Sequence, residues 1–308
     1  MSARLLLRLL LLLQAIAALA IGATAWHWYG LGRWTALALG AGAVLLVRLL
    51  IFSNNFRLSA RHANATPAQF RLGAAAKLRL FGEEFAASML QTCWSMPRAA
   101  PRQVIFLDSA RAPVLLLHGY GCNSGYWTHL TKLLDAARIS HATLDLAPIT
   151  ADIDSYAPLV QRAAEQLCAQ TGAPKLAIVG HSMGGLVARA WLRAQGTARV
   201  ARVITLGTPH HGTCLASFGI GRNAAQMRRF GADGGHESAW LRALADFESA
   251  ATRALITSIY SHHDNIIAPQ TSSALAGAHN IALGGVGHVA LGRNRLVLAH
   301  VMRELATL

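Results

Sequence analysis

The segment APKLAIVGHSMGGLVARAW, Ala173–Trp191, places a glycine-rich turn between an apolar run and an amphipathic one. KLAIVG shows no alternation of polar and apolar residues, which is typical of a strand covered on both faces of a sheet. GLVARAWLRA has the spacing of a helix. The turn between them fits G-x-S-x-G, in which a sharp strand-to-helix turn presents a serine nucleophile. The segment therefore predicts Ser182 as a nucleophile, and the alternative is a structural serine in a glycine-rich connection.

The residues around this serine fit the same prediction. Gly180 and Gly184 are small enough to let the two backbone segments approach closely. A helix N-terminus directly behind the turn offers free N–H groups and the positive end of a dipole. The backbone N–H of Met183 is therefore predicted to be one donor to an oxyanion.

A second donor is expected from the loop that follows the apolar strand PVLLLHG. That loop begins His118-Gly119-Tyr120. Gly119 permits a backbone N–H to turn toward a developing charge, and we predict the N–H of Tyr120 as the donor. His118 is predicted to brace the loop rather than to act as a base.

A serine hydroxyl is a poor nucleophile without a base, so a histidine and an acid should follow later strands. Asp264 follows the strand ALITSIY, and His288 follows the strand HNIALGG. The order Ser, Asp, His predicts that Asp264 orients the imidazole and that His288 accepts the serine proton. Asp233 and Asp246 are weaker candidates for the acid because no strand directly precedes either.

Three further histidines lie near these positions in the sequence. His262 and His263 adjoin Asp264 and are interpreted as loop residues, and His181 is expected to pack beside the serine turn. Strand and helix patterns alternate along the chain from QVIFL onward. This alternation predicts an α/β fold with a mostly parallel sheet and helices on both faces.

Composition limits the classes of protein that fit. The chain has 308 residues, of which 53% are hydrophobic and 14% charged, so a sizeable core is expected and disorder is not. Its formal charge is +14, but no nucleic-acid motif or basic run with interleaved aromatics is present, so a membrane surface is the simpler partner. The four cysteines form no C-x-x-C pair, and buried free thiols are expected, with one disulfide as the alternative.

Two apolar segments occupy the first 52 residues. The first is Leu9–Trp26, and the second, Trp34–Val47, continues past Arg48 to Phe52. Each approaches the length that crosses a bilayer as a helix, which predicts a transmembrane hairpin. A cleavable signal peptide ending near Ala25 is the alternative for the first segment.

Arginines indicate how such a hairpin would be oriented. Two precede the first segment (Arg4 and Arg8), three end or follow the second (Arg48, Arg57 and Arg61), and only Arg33 lies in the short connection. The positive-inside rule then predicts a bacterial inner-membrane protein with its catalytic domain in the cytoplasm. A second segment that lies on the surface would instead put that domain on the periplasmic face. The predicted division is a hairpin at 1–52, a connector with an amphipathic helix at 53–101 and a catalytic domain at 102–308.

Several motifs together resemble the bacterial lipase and esterase branch of the α/β-hydrolase superfamily. They are VLLLHGYG, GHSMGG, TLGTPHHGT, the aspartate of SHHDNIIAP and the histidine of GGVGHVAL, and they cover about 104–308. NAAQMRRFGADGGHESAWLRAL is also similar to a stretch of such lipases, but extra residues including ADGG interrupt it. The resemblance implies cleavage of carboxylic esters, with no metal and no organic cofactor.

Three functions follow as hypotheses. The first is a membrane-anchored serine hydrolase that cleaves lipid or acyl-glycerol esters through an acyl-enzyme. The second uses the same three residues on a thioester or an amide. The third is an inactive hydrolase fold that serves as a membrane partner domain. Competent residues at all the predicted catalytic positions favour an enzyme, and protein partners are not indicated.

Overall fold

The computed structural model describes residues 2–231 and 235–308, and its strands form a seven-stranded sheet and a separate two-stranded ribbon. The strands are β1 (Gln103–Val104), β2 (Val114–Leu117), β3 (His141–Leu144), β4 (Leu176–His181), β5 (Val200–Leu206), β6 (Arg229–Phe230), β7 (His236–Glu237), β8 (Ile256–Ser261) and β9 (His279–Leu283). The order in the large sheet is β1-β3-β2-β4-β5-β8-β9. Only the edge strand β1 is antiparallel to its neighbour. The predicted α/β fold with a mostly parallel sheet is confirmed.

Helices precede the sheet and cover both of its faces. They are α1 (Ala3–Tyr29), α2 (Arg33–Arg61), α3 (Ala74–Leu90), α4 (Met96–Arg98), α5 (Thr128–Ala136), α6 (Ala157–Thr171), α7 (Met183–Gln195), α8 (Arg222–Gln226), α9 (Ala239–Phe247), α10 (Ala250–Ala254) and α11 (Arg295–Ala306). Side chains of α6, α7 and α9 form one apolar layer, and side chains of α5 and α11 form the other. The sheet is thus covered as the apolar strand sequences require.

Strand β2 shows how one apolar run serves both layers. Leu115 and Leu117 belong to the layer with α6 and α7, whereas Val114 and Leu116 belong to the layer with α5 and α11. Successive side chains of a strand point to opposite faces, so a strand between two helical layers must be apolar throughout.

The first strand is shorter than the sequence predicts. QVIFL suggested a strand over residues 103–107, but only Gln103 and Val104 pair with β3. The N–H of Phe106 donates instead to the hydroxyl of Ser140 at 2.9 Å, and a turn follows. A side-chain acceptor on the neighbouring segment therefore ends this edge strand. The four cysteines are free thiols.

Helices α1 and α2 form a tightly packed hairpin. A Cβ at Gly40 would run into the carbonyl oxygen of Ala18, so glycine permits the close approach of the two backbones. Gly30 ends α1 with a φ of 66°, in the left-handed region that glycine adopts without strain. Both helices are long and apolar enough to cross a bilayer by length and composition. The boundary predicted at residue 52 falls inside α2, which continues to Arg61.

The segment predicted to be a connector with an amphipathic helix contains α3. Helix α3 buries Leu80, Glu84 and Ala87, which lie on one face at helical spacing. The first turns of α1 are held by the chain that follows α3, since Arg4 donates to the carbonyl of Ala99 and Arg8 to that of Pro97. The hairpin and the connector are thus bound to each other before the sheet begins.

Candidate active site

Ser182 lies at the turn between β4 and α7, and its backbone has a φ of 54° and a ψ of −123°. A positive φ is strained for a residue that carries a side chain. The N–H of Ser182 donates to the carbonyl of Leu206 at 2.9 Å, and the hydroxyl of Thr208 donates to the carbonyl of Ser182 at 2.9 Å. These bonds hold the strained turn at the carboxyl end of the sheet.

Glycines make room for this turn. A Cβ at Gly184 would run into the carbonyl oxygen of Leu117, and one at Gly180 would lie 2.6 Å from the backbone nitrogen of Gly185. Only glycine therefore fits at either position without a shift of the backbone. Met183 is the first residue of α7, where a backbone N–H has no partner within the helix.

The loop after β2 passes directly over Ser182. A Cβ at Gly119 would lie 2.9 Å from the Cβ of Ser182. His118 holds this loop: its Nε2 accepts from the N–H of Leu146 at 2.9 Å, so its Nδ1 carries the proton and donates to the carbonyl of Gly119 at 2.9 Å. Burial lowers the pKa of His118, which favours this neutral form. His118 thus braces the loop and has no free nitrogen for catalysis.

Tyr120 connects this loop to a later one. Its hydroxyl donates to the carbonyl of Ile220 at 2.8 Å and accepts from the N–H of Ile220 at 3.0 Å. Tyr120 also lines the two cavities that border Ser182, described below. These two bonds hold the side chain of the residue whose backbone N–H is predicted to be an oxyanion donor.

Asp264 and His288 form a buried pair. One carboxylate oxygen of Asp264 lies 2.7 Å from the Nδ1 of His288. The other oxygen accepts the N–H groups of Ile266 and Ile267, each at 2.8 Å. The backbone N–H of His288 donates to the side-chain oxygen of Asn265 at 3.0 Å. Both members of the pair are therefore held from two sides.

This geometry sets the tautomer of His288. An ionised carboxylate only accepts hydrogen bonds, so Nδ1 carries the proton and Nε2 is the free basic nitrogen. Burial opposes the charged form of His288, but attraction to Asp264, their hydrogen bond and the nearby Glu84 outweigh it and raise the pKa of His288 above its ordinary value. The pair is thus arranged to stabilise an imidazolium.

Ser182 and His288 line the same cavity of about 300 Å³, beside Gly119 and Tyr120. Within residues 2–231 and 235–308, no direct hydrogen bond joins the Ser182 hydroxyl to the imidazole. Catalytic hydrogen bonds are often long or misaligned in unliganded sites and tighten when substrate binds. The structure therefore brings the three side chains to one site and hydrogen-bonds two of them.

A second cavity, of about 440 Å³, also opens on Ser182, and most of its lining is apolar. Its lining comes from the chain after β5, including Pro209, Leu215 and Phe218. Asn54, Asn55 and Leu58 of α2 also line it, as do residues from other loops, including Ile266. An apolar chain attached to a group at Ser182 has space here.

The remaining predicted residues lie around this centre. His181 stacks on Tyr126 with ring centroids 3.9 Å apart, and its Nε2 is 3.2 Å from the carbonyl oxygen of His288. His262 stacks on the ring of Phe70, and His263 accepts the N–H of Gly285 at 3.0 Å. Asp246 is exposed on α9, and Asp233 lies outside the described residues. These contacts place the three histidines in packing positions.

Sequence reasoning missed Glu84, a fully buried acid from α3. Its two carboxylate oxygens accept the N–H groups of Val289 and Ala290, at 2.8 and 2.7 Å, directly after His288. Burial raises the pKa of Glu84 to about 7, although these N–H groups and His288 oppose the rise. The sequence feature that could have indicated Glu84 is an acidic residue on the otherwise apolar face of an amphipathic helix.

A second missed contact comes from α2. The hydroxyl of Ser59 donates to the carbonyl of Asp264 at 3.0 Å, and Gln270 donates to the same carbonyl at 3.0 Å. Both Ser59 and Gln270 are buried. The hairpin and the connector therefore each contact one of the two loops that carry the Asp264–His288 pair.

Comparison with known proteins identifies the family. The profile described as "Alpha/beta hydrolase family" matches residues 114–299, more than half of the chain. The chain belongs to the alpha/beta hydrolase family. The match begins at β2, so the hairpin, the connector and Glu84 precede the part of this hydrolase that the family profile covers.

Two curated relatives are triacylglycerol lipases of Pseudarthrobacter phenanthrenivorans and Burkholderia plantarii. Each is 32% identical to this hydrolase over 124 residues, which is 36% of the chain and 37% or 33% of the relative. The alignments thus span about a third of each relative's length.

Solved structures show the same fold. A Bacillus licheniformis lipase in its mature form aligns with a TM-score of 0.57 and 17% identity, over 67% of this chain and 97% of that one. Aspergillus fumigatus lipase B aligns with a TM-score of 0.53 and 20% identity, over 68% of this chain and 56% of that one. At these identities the likeness concerns the fold.

Proposed function

We propose that this hydrolase is a membrane-anchored serine esterase that acts through Ser182, His288 and Asp264. The observation that carries the proposal is the buried Asp264–His288 pair, joined at 2.7 Å beside a serine held at a positive φ. A strained serine at the end of a parallel sheet, facing a carboxylate-oriented imidazole, has the arrangement of a nucleophile and its base.

The proposed reaction has two halves. In the first, His288 Nε2 takes the proton of Ser182 as its oxygen attacks the ester carbonyl, and the backbone N–H groups of Met183 and Tyr120 bind the resulting oxyanion. Collapse breaks the bond to the alcohol, which leaves with the proton from His288. In the second half, water attacks the acyl-enzyme with the same assistance, releasing the carboxylic acid and restoring Ser182.

An apolar acyl group fits the cavity beside Ser182. The cavity has a volume of about 440 Å³ and a largely apolar lining, so burial of an alkyl chain there is favourable. Both curated relatives are named triacylglycerol lipases. We therefore infer a long-chain acyl ester, of the lipid or acyl-glycerol class, as the substrate.

The anchor in this proposal is the hairpin of α1 and α2. Both helices meet the length and composition of a membrane span, and most of their apolar side chains are exposed. The distribution of arginines favours the cytoplasmic face of the bacterial inner membrane. A reporter fused to the C-terminus should be active on the cytoplasmic side, and activity confined to the periplasm would reverse this orientation.

Labelling with a fluorophosphonate probe tests the nucleophile. We expect the wild-type chain to be labelled and Ser182→Ala to remain unlabelled, because the probe reacts only with a serine activated by a base. Ser217→Ala is the matched control and should label like the wild type. Folded wild-type protein that takes up no label would favour an inactive hydrolase fold.

A substrate panel then separates the remaining functions. Acyl chains of several lengths are presented with oxygen, sulfur and nitrogen leaving groups, and kcat/KM is measured for each. If the protein is an esterase for long acyl chains, we expect the highest kcat/KM for oxygen esters of long-chain acids. A clear preference for thioesters or amides would reassign the reaction while keeping the same nucleophile.

Glu84 gives a pH prediction. His288 must be neutral to act as a base, and Glu84 contributes to its raised pKa, so kcat/KM of the wild type should fall as the pH drops through a value above 6.5. Removing the carboxylate in Glu84→Gln lowers the pKa of His288. We expect the acid limb of the profile, the pH range in which kcat/KM falls on acidification, to move to lower pH than in the wild type.

The control for this variant is its neighbour on α3. Glu83 is exposed and pairs with Arg79, so Glu83→Gln removes the same charge without touching the site. Its pH profile of kcat/KM should match that of the wild type. An acid limb that stays in place in Glu84→Gln, or that moves equally in both variants, would contradict the contribution of Glu84 to the raised pKa of His288.

A further inference from the structure

A third cavity, of about 250 Å³, lies between α1, α2 and α3. Its lining is mostly apolar, with side chains such as Leu10, Ile51 and Phe85. Gln14 of α1 and Arg48 of α2 are its prominent polar members. A guanidinium in such surroundings requires polar partners, because an isolated charge is costly away from water.

The partners of Arg48 are all neutral. Its guanidinium donates to the side-chain oxygen of Gln14 at 2.8 Å and to the hydroxyl of Thr92 at 3.1 Å, and it contacts the sulfur of Met89 at 3.4 Å. In the part of the chain that the structure describes, no carboxylate forms an ion pair with Arg48. Among the described residues, the positive charge of this side chain therefore has hydrogen-bond partners but no ion-pair partner.

This cavity adjoins the catalytic one. Leu7, Ser88 and Thr92 line both the 250 Å³ cavity and the 300 Å³ cavity that contains Ser182 and His288. The Thr92 hydroxyl that accepts from Arg48 thus lies in the wall between the two spaces. Ser182 lines the 300 Å³ and the 440 Å³ cavities, so an amphiphile with its ester carbonyl there would place its acyl chain in the 440 Å³ cavity and direct its polar end past Thr92 toward Arg48.

We propose that Arg48 binds the phosphate of a glycerophospholipid whose acyl ester is cleaved at Ser182. The inference rests on the proposed function and narrows its substrate class to phosphate-bearing lipid esters. Arginine suits this role because its planar guanidinium donates two parallel hydrogen bonds to phosphate oxygens. Arg48 is also at the end of the apolar part of α2 that adjoins the catalytic domain, the level at which lipid phosphates lie in the proposed orientation.

Arg48→Gln tests the site in the full-length enzyme. The kcat/KM for fatty-acid release is measured on phosphatidylglycerol and on diacylglycerol with identical acyl chains, both in micelles of one neutral detergent. We expect the ratio of the two values, phospholipid over diacylglycerol, to fall by about 10- to 100-fold, the range for loss of a hydrogen bond to a charged group. Wild-type enzyme is the reference.

Arg57→Gln is the matched control, since it removes the same charge from an exposed position further along α2. Its ratio should equal that of the wild type. An unchanged ratio in Arg48→Gln would overturn the phosphate site. An equal fall of the ratio in both variants would also overturn it, because it would indicate a general attraction of charged lipid to the basic protein. If Arg48→Gln does not fold, Arg48→Lys is measured in its place. Lysine keeps the charge but lacks the planar guanidinium, so we expect the same ratio to fall by less than in Arg48→Gln.

The same experiment separates this inference from the proposed function. Fluorophosphonate labelling of Ser182 and hydrolysis of diacylglycerol by the wild type report on the esterase itself. If both are present and the ratio does not respond to Arg48, only the phosphate site fails. If the folded wild type neither labels nor hydrolyses either lipid, the proposed function fails with it.

Discussion

Replacement of His288 by alanine is expected to lower kcat for a short-chain acyl ester by about a million-fold, to nearly the same floor as Ser182→Ala. The reason is that the proton transfer from Ser182 to His288 requires both side chains. Without the imidazole the Ser182 hydroxyl keeps its proton, and without the hydroxyl the imidazole has no proton to accept. The rate that remains would come from the oxyanion donors and from substrate binding alone.

The double variant makes this prediction specific. If the two side chains act as one unit, Ser182→Ala combined with His288→Ala should be no slower than either single variant. His279→Ala is the control because that histidine is exposed on β9, and its kcat should match the wild type. Multiplicative losses in the double variant would mean that Ser182 and His288 contribute independently, which the proposed mechanism does not permit.

The position of Ser182 could be predicted because its determinants are local. An apolar strand, a G-x-S-x-G turn and a helix follow one another within a single segment, and each is specified by its own residues. The parallel sheet then places the loops after β4, β8 and β9 at the same edge. The approach of Asp264 and His288 to Ser182 therefore follows from the order of the strands.

Glu84 and Arg48 could not be assigned in the same way. Each lies in a helix whose pattern indicates only an amphipathic or apolar segment, and an acid or an arginine there fits a solvated face equally well. Their roles depend on which loop or helix packs against them. For Glu84 that partner is distant in the sequence, since Val289, which donates its N–H to Glu84, lies 205 residues further along the chain. Local periodicity contains no information about such a partner.

The contacts of the Tyr120 hydroxyl could not be predicted from the sequence either. Sequence reasoning placed the backbone of this residue in the oxyanion loop but said nothing about its side chain. In the structure the hydroxyl makes two bonds to the backbone of Ile220, 100 residues further along the chain. A contact of this kind arises from tertiary packing, and the tyrosine itself gives no local sign of it.

Asp264→Asn is expected to lower kcat by about ten-thousand-fold, a loss that arises from the wrong tautomer of His288. One oxygen of Asp264 accepts the N–H groups of Ile266 and Ile267, so the amide oxygen of an asparagine must take that position. Its NH₂ group then faces Nδ1 of His288 and donates to it. Nδ1 becomes the acceptor, the proton moves to Nε2, and Nε2 can no longer receive the proton of Ser182.

The pH profile separates this mechanism from simple damage to the fold. Asp264 is the main group that raises the pKa of His288, so its loss should also move the acid limb of the remaining activity to lower pH. Asp246→Asn, at an exposed site on α9, should leave both kcat and the limb in place. Asp264→Asn protein that kept more than a tenth of the wild-type kcat, or kept the wild-type acid limb, would show that another acid orients His288.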